Sequence, residues 1–121
     1  MSTVTYQPGE ADQRPWGDWR VLSAEPGCVV KRIRVNPGAR LSLQRHTHRS
    51  EHWIIVVGEG AATLNEATIP LSPGSTVFIP AGGIHRIANT GAADLIFIEV
   101  QTGAVLSEDD IERLQDDFSR A

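Results

Sequence analysis

The stretch Gln44-Arg45-His46-Thr47-His48-Arg49-Ser50-Glu51-His52 holds three of the chain's four histidines, and the fourth is His85. Imidazole nitrogens, a carboxylate and an amide carbonyl are all ligands for a divalent metal. On an extended backbone Ser42, Gln44, His46 and His48 project from one face, and Leu41 and Leu43 from the other. With the leucines packed in an outer layer, the Gln/His row points inward, where imidazoles need partners and a metal supplies them. The plainer alternative is a polar surface loop. Lys31 raises a related question. It interrupts the apolar face of Val29, Ile33 and Val35, so it is expected inside, where a cation requires an anion. The competing reading is a lysine that snorkels to a rim. Glu99 is likewise an acid inside an apolar run, 95–100.

Short strands must carry these residues. Period-two alternation or apolar runs mark strands at 28–35, 53–57, 61–64, 76–79, 84–88 and 95–100, with an extended segment through 41–46. Asn36-Pro37-Gly38, Gly58-Glu59-Gly60, Ser72-Pro73-Gly74, Pro80-Ala81-Gly82-Gly83 and Asn89-Thr90-Gly91 punctuate them. Closely spaced strands without a long amphipathic helix between them predict an all-β fold, a sandwich or jelly-roll barrel. Residues 1–25 read as an irregular N-terminal arm whose Trp16 and Trp19 lie across the barrel, residues 26–106 as the barrel, and 107–121 as a C-terminal helix. Ser107 would cap that helix, Glu108, Asp109 and Asp110 would suit its positive end, and Ile111, Leu114 and Phe118 would form its apolar stripe.

The bulk numbers exclude several classes. At 121 residues the chain has room for one domain. Its net charge of −4 and pI near 5.5 argue against a nucleic-acid partner. No apolar stretch is long enough for a membrane span, and the first residues lack a signal peptide's pattern. With Cys28 alone, expected as a packed thiol, no internal disulfide can form, which leads to an expected cytoplasmic protein.

Motif spacing sharpens this picture. The chain resembles the cupin superfamily, whose second motif, G-x5-P-x-G-x2-H-x3-N, is matched by Gly74, Pro80, Gly82, His85 and Asn89. The first motif, G-x5-H-x-H-x3,4-E-x6-G, fits Gly38, Gln44, His46, Glu51 and Gly58 at every interval, with Gln in place of the first histidine. The alternative register, starting at His46 and His48, misplaces both the leading glycine and the glutamate. The first register implies a double-stranded β-helix whose metal ligands are Gln44, His46, Glu51 and His85. A Gln/His/Glu/His set is similar to that of cupin phosphomannose isomerases. The likeness then extends to the C-terminal domain of bifunctional mannose-6-phosphate isomerase / mannose-1-phosphate guanylyltransferases. It is carried by Arg14-Pro15-Trp16-Gly17, Val30-Lys31-Arg32-Ile33, Leu41-Ser42-Leu43-Gln44, His48-Arg49-Ser50-Glu51-His52-Trp53, Ile79-Pro80, His85-Arg86, Glu99-Val100-Gln101-Thr102-Gly103 and Glu108-Asp109-Asp110-Ile111. The chain departs from that family in its tail, where D-x-Y-G-R is replaced by Asp116-Asp117-Phe118-Ser119-Arg120, and the nucleotidyltransferase half is absent from this sequence.

The resemblance implies isomerisation of mannose 6-phosphate and fructose 6-phosphate, or of a related sugar phosphate, through an enediol. It also implies one divalent ion, with zinc first and Mn, Co, Ni or Fe admissible. Such chemistry needs a base, stabilisation of an oxyanion and an anchor for the phosphate. Lys31 is the expected anchor and, with His48, a candidate for the catalytic proton transfers; His48 could equally be a ligand or support one. Trp53 on the Glu51 face would wall the pocket, and Glu99 would orient substrate or a ligand histidine. Arg45, Arg49 and Arg86 flank the ligand row as rim salt bridges, with Arg86 also a substrate-contact candidate, while Arg32 and Arg34 are expected in solvent. His52 has a structural reading. Alternatives are a metal-dependent cupin enzyme of another reaction class and a non-catalytic sugar-binding module. A homodimer is expected, with the Trp16/Trp19 segment as its contact.

Overall fold

The computed structural model describes residues 3–118. In chain order the strands are β1 (Thr3–Val4), β2 (Ala11–Arg14), β3 (Gly17–Glu25), β4 (Cys28–Val35), β5 (Leu43–Arg45), β6 (Arg49–Val57) and β7 (Gly60–Leu64). Then follow β8 (Ala67–Leu71), β9 (Thr76–Ile79), β10 (His85–Asn89), β11 (Leu95–Gly103), β12 (Val105–Leu106) and β13 (Glu112–Gln115). Two sheets form the barrel walls, one in the order β2-β3-β4-β11-β6-β9 and one in the order β13-β5-β10-β7-β8, while β1 pairs with β12 in parallel. This is the jelly-roll arrangement expected from the strand spacing.

Cross-strand register fixes where the polar groups meet. On the inner face of the six-stranded sheet, Trp19, Ile33, Phe97 and Ile55 form one row of partners. The next row is Val21, Lys31, Glu99, Trp53 and Val77, and the one beyond it is Val29, Gln101, Glu51 and Ile79. The first row is wholly apolar, and Trp53 stacks on it with its ring 5.3 Å from that of Phe97. The other two carry charged and amide side chains into the interior. Because side chains alternate across a strand, one residue of slip would turn both rows to solvent.

Both ends of the chain differ from expectation. Residues 11–25 are two strands completing the six-stranded sheet rather than an irregular arm. Trp16 and Trp19 are only 5% and 4% exposed, so they belong to the chain's own core. No helix occurs among the described residues. After one turn at Ser107–Asp110, residues 112–115 run as β13 along the edge of β5. Sheet pairing there overrides a helical pattern with only a short apolar stripe: Leu114 and Phe118 remain 38% and 37% exposed. The expected tail change at Ser119 and Arg120 lies outside the described residues. Cys28 is half-buried rather than packed.

Two motif residues have clear mechanical roles. Asn89 donates through Nδ2 to the Val35 and Ala93 carbonyls at 3.0 and 2.8 Å and accepts from the Gly91 N–H, tying the two sheets and closing its turn. Gly58 sits at φ 89°, and a Cβ there would lie 2.4 Å from the Asp94 carbonyl oxygen. Gly58→Ala is therefore expected to cost about 1–3 kcal/mol, read as a lower urea midpoint with an unchanged slope.

Candidate metal centre

One end of the barrel collects side chains from both sheets. Glu51 comes from β6, His85 opens β10 and His46 follows β5, whose Gln44 pairs directly with His85 across the strands. The ligand-capable atoms of His46, Glu51 and His85 all lie within 4.8 Å of one another, and all three residues are buried. His46 Nε2 is 3.1 Å from Glu51 Oε2, and His85 Nε2 is 3.8 Å from Glu51 Oε1. The outer ring nitrogens are fixed elsewhere. His46 Nδ1 lies 2.7 Å from the Asp110 carbonyl and His85 Nδ1 lies 2.8 Å from the Gly83 carbonyl. A carbonyl can only accept, so each Nδ1 carries the hydrogen and each Nε2 turns a lone pair toward Glu51. Arg49 Nη2 lies 3.3 Å from His46 Nε2, so a cation already borders the cluster, and histidines oriented through the second nitrogen are the usual supports of metal ligands. Burial pushes the His85 imidazole pKa down, favouring its neutral, ligating form.

Gln44 pairs with His85 across the strands and lines a cavity with it. Its Nε2 donates to the Ser42 carbonyl and hydroxyl at 3.3 and 3.0 Å, which leaves its Oε1 as the group to offer a cation. The donor set of two imidazoles, a carboxylate and an amide oxygen thus fits a divalent ion without fixing its identity.

Glu51 anchors the cluster. Burial alone would raise its pKa, yet the neighbouring Arg49 and His46 hold it well below the ordinary carboxylate range. Arg49 Nε lies 2.9 Å from Glu51 Oε2, and Trp53 Nε1 donates to Oε1 at 3.0 Å. Arg49 also reaches the Ser107 carbonyl at 3.1 Å and is 6% exposed, so it is an interior residue of the site and not a rim salt bridge. Alternation in β6 carries the signal for it: Arg49 shares a face with Glu51 and Trp53. Glu99, beside Lys31 and Trp53 in its row, accepts from Gln101 Nε2 at 2.9 Å, and burial together with the Glu51 charge pushes it up to about 8.

A cavity of about 60 Å³ opens onto these groups. Gln44, Glu51, His85, Lys31, Trp53, Glu99 and Arg86 line it, with His46 packed against Glu51 behind them. His48 does not line it. Its side chain is exposed at the turn before β6, where only its backbone N–H is engaged, by Asp110 at 2.9 Å. That placement gives the expected base no access to the cavity. His52 is exposed against Phe78, with ring centroids 4.6 Å apart. Arg45 pairs with Glu112 at 2.6 Å at the surface, and Arg34 is bound to Asp18 and Asp94 rather than free in solvent.

Lys31 is buried as expected, but its anion is internal. Its Nζ lies 2.9 Å from Glu108 and 3.2 Å from the Tyr6 hydroxyl. The Trp19 and Tyr6 rings flank it at 4.2 and 4.4 Å. Tyr6 also donates to Glu108. Sequence reasoning missed both partners, because Tyr6 lay in the supposed arm and Glu108 in the supposed helix.

The fold and this site define a cupin. Residues 4–116 match the family described as mannose-6-phosphate isomerase C-terminal, and the chain belongs to it. Over 107 residues it is 48% identical to the alginate biosynthesis protein AlgA of Pseudomonas aeruginosa, covering 88% of this chain and 22% of that protein. It is 46% identical to the xanthan biosynthesis protein XanB of Xanthomonas campestris pv. campestris and 43% identical to a mannose-1-phosphate guanylyltransferase of Escherichia coli, in each case over 88% of this chain and 23% of the relative. The chain thus spans less than a quarter of these relatives' length. Among solved structures, the capsular polysaccharide assembling protein CapF of Staphylococcus aureus superposes with a TM-score of 0.79 at 20% identity, over 91% of this chain and 35% of CapF. KdgF of Halomonas sp. gives 0.71 at 17% identity, over 81% and 86% of the two chains. At such identities these likenesses describe the fold.

Two outcomes are expected from this geometry. The purified chain takes up about one divalent ion, and zinc at about a hundred times its Kd stabilises it by about 2.7 kcal/mol; His85→Ala removes both the bound metal by elemental analysis and the stabilisation. The second concerns Glu108, whose carboxyl is held down at about 2: burial opposes this, but the Lys31 charge and the Tyr6 hydroxyl outweigh it. A folded pKa below the unfolded one contributes stability above the unfolded pKa, and the contribution fades as pH falls from about 4.5 toward 2. Glu108→Gln should therefore lower the urea midpoint at pH 7, and the gap to wild type should shrink near pH 3.

Proposed function

We propose that the protein is a metal-dependent sugar-phosphate isomerase interconverting mannose 6-phosphate and fructose 6-phosphate, or a close analogue. One observation carries the reading: the two imidazole lone pairs are pinned onto a buried carboxylate at the wall of an open cavity, in a chain of this family. The names of its relatives, which include alginate and xanthan biosynthesis proteins, agree with work on sugar phosphates.

Gln44, His46, Glu51 and His85 would hold the ion, which supplies Lewis acidity to the sugar's carbonyl and hydroxyl oxygens when bound. The rest falls to the chain. Trp53 closes one wall and, through its bond to Glu51, fixes that carboxylate's orientation. Arg49 keeps Glu51 ionised and aimed at the cluster. A group that both accepts and returns a proton near neutral pH works best with a pKa close to it. Among the carboxyls lining the cavity, Glu99 meets that condition, and it takes the place first given to His48.

A second reading, a sugar-phosphate-binding module without turnover, draws on Lys31: the expected phosphate anchor is already held by Glu108 and Tyr6. Turnover separates the two. Metal-replete protein incubated with mannose 6-phosphate should form fructose 6-phosphate, and Gln44→Ala and Glu99→Gln should each lower kcat at least tenfold. Binding without conversion, with every divalent metal tried, would overturn the isomerase reading.

A further inference from the structure

The cations that line the cavity are not equivalent. Lys31 holds Glu108, Arg14 holds Asp12 at 2.6 Å and approaches Glu108 at 3.6 Å, and Arg49 holds Glu51. Arg113 lines the same cavity and adds its charge. Arg86 differs from the first three. It is 7% exposed, and among the described residues its hydrogen bonds run to neutral acceptors, from Nε to the Leu41 carbonyl at 3.1 Å and from Nη1 to Gln115 Oε1 at 3.4 Å. Its Nη2 is buried and has no hydrogen-bond partner among the described residues.

The surrounding charges sharpen the contrast. Asp117 lies close enough to act on Arg86 but is engaged by Arg40 at 2.7 and 2.9 Å. Burial, and then the Arg40 charge, weaken the Arg86 cation more than Asp117 and Asp116 sustain it. A buried guanidinium edge without an acceptor costs more than a made hydrogen bond contributes, which gives a ligand oxygen that reaches it a favourable place to bind. Trp19 Nε1, which lines the same cavity, is likewise a buried donor without a partner among the described residues. Both open groups are donors, so the occupant is rich in acceptor oxygens.

We propose that Arg86, not Lys31, receives the phosphate of the substrate, its Nη2 edge binding a phosphate monoester oxygen while the sugar's reacting oxygens lie toward His46, Glu51 and His85. This rests on the sugar-phosphate reading above and adds a specificity-determining residue to it. A guanidinium fork matches phosphate geometry, whereas an ammonium acts as a point charge, so Arg and Lys should not be equivalent here.

The test is calorimetric titration of the metal-replete full chain with mannose 6-phosphate and, separately, with inorganic phosphate, alongside metal content and melting temperature. Arg86→Gln should weaken both ligands by about tenfold to a hundredfold while leaving bound metal unchanged. Arg86→Lys should lie between that variant and wild type. In turnover assays Arg86→Gln should raise KM more than it lowers kcat. Wild-type affinity in Arg86→Gln, or failure of the wild-type chain to bind either phosphate compound, would overturn the proposal. Should Arg86→Gln fold poorly, Arg86→Lys decides: unchanged affinity and KM at an unchanged melting temperature would also overturn it. A wild-type chain that binds phosphate through Arg86 without turnover would remove the isomerase reading and leave the anchor; turnover with an unchanged KM in Arg86→Gln would do the reverse.

Discussion

The interior is organised around one ionised carboxylate that has given up water. Moving a carboxylate out of solvent carries a penalty of several kcal/mol that only charge partners and hydrogen bonds offset. Glu51 obtains them from Arg49 at 2.9 Å and Trp53 at 3.0 Å. Its neighbours are then constrained in turn. Arg49 must reach past Glu51 to the Ser107 carbonyl, and His46 must stand on the Asp110 carbonyl. The segment after β12 is therefore required by the centre of the protein. Asp110 accepts from the backbone of Thr47 and His48 as well, so the loop that presents His46 is clamped by one residue from the other end of the chain.

A second buried charge is satisfied by the same device. Lys31 would be as costly as Glu51 if left alone, and its partners Tyr6 and Glu108 come from segments next to the paired strands β1 and β12. Aromatic faces at 4.2 and 4.4 Å suit an ammonium that has left water. The parallel pairing of β1 and β12 brings Tyr6 and Glu108 onto the lysine together, which explains why two such short strands matter. Burial of the ends follows from electrostatics as much as from apolar area.

What could be read in advance divides along a physical line. Strand positions, the buried face of β4 and the Gln44/His46/Glu51/His85 grouping depend on local alternation and on motif spacing, and both are properties of neighbouring residues. Arg49 is equally legible, since it lies two residues before Glu51 on one strand and so shares its buried face. Tyr6, Glu108 and β13 were not accessible in that way. Their roles arise from pairings between residues far apart in the chain, 77 positions for Lys31 and Glu108 and 67 for Arg45 and Glu112, and a short segment such as Glu112–Gln115 takes its conformation from the edge it meets, not from its own composition. His48 shows the opposite hazard. Its spacing continues the inward row, but the chain turns at Thr47 and His48, and alternation stops where the strand does.

Register finally explains why the two sheets have different chemistry. The six-stranded sheet carries its charges in adjacent cross-strand rows, where Arg49 binds Glu51 at 2.9 Å and Lys31 is met by Glu108 from the segment after β12. The five-stranded sheet carries His85 and Arg86 side by side on β10, joined to β5 by only one strand pairing at Gln44. β10 also pairs with β7 along its whole length and bonds residues 39 and 41 through the Asn89 N–H and the Ile87 carbonyl, while the Arg86 and Gln44 side chains bind the Leu41 and Ser42 carbonyls. Arg86 lines the cavity and keeps one buried guanidinium nitrogen without a hydrogen-bond partner among the described residues. The six-stranded sheet thus supplies the charge-paired part of the site, Glu51 with Arg49 and Trp53, and the five-stranded sheet supplies His85, Gln44 and Arg86.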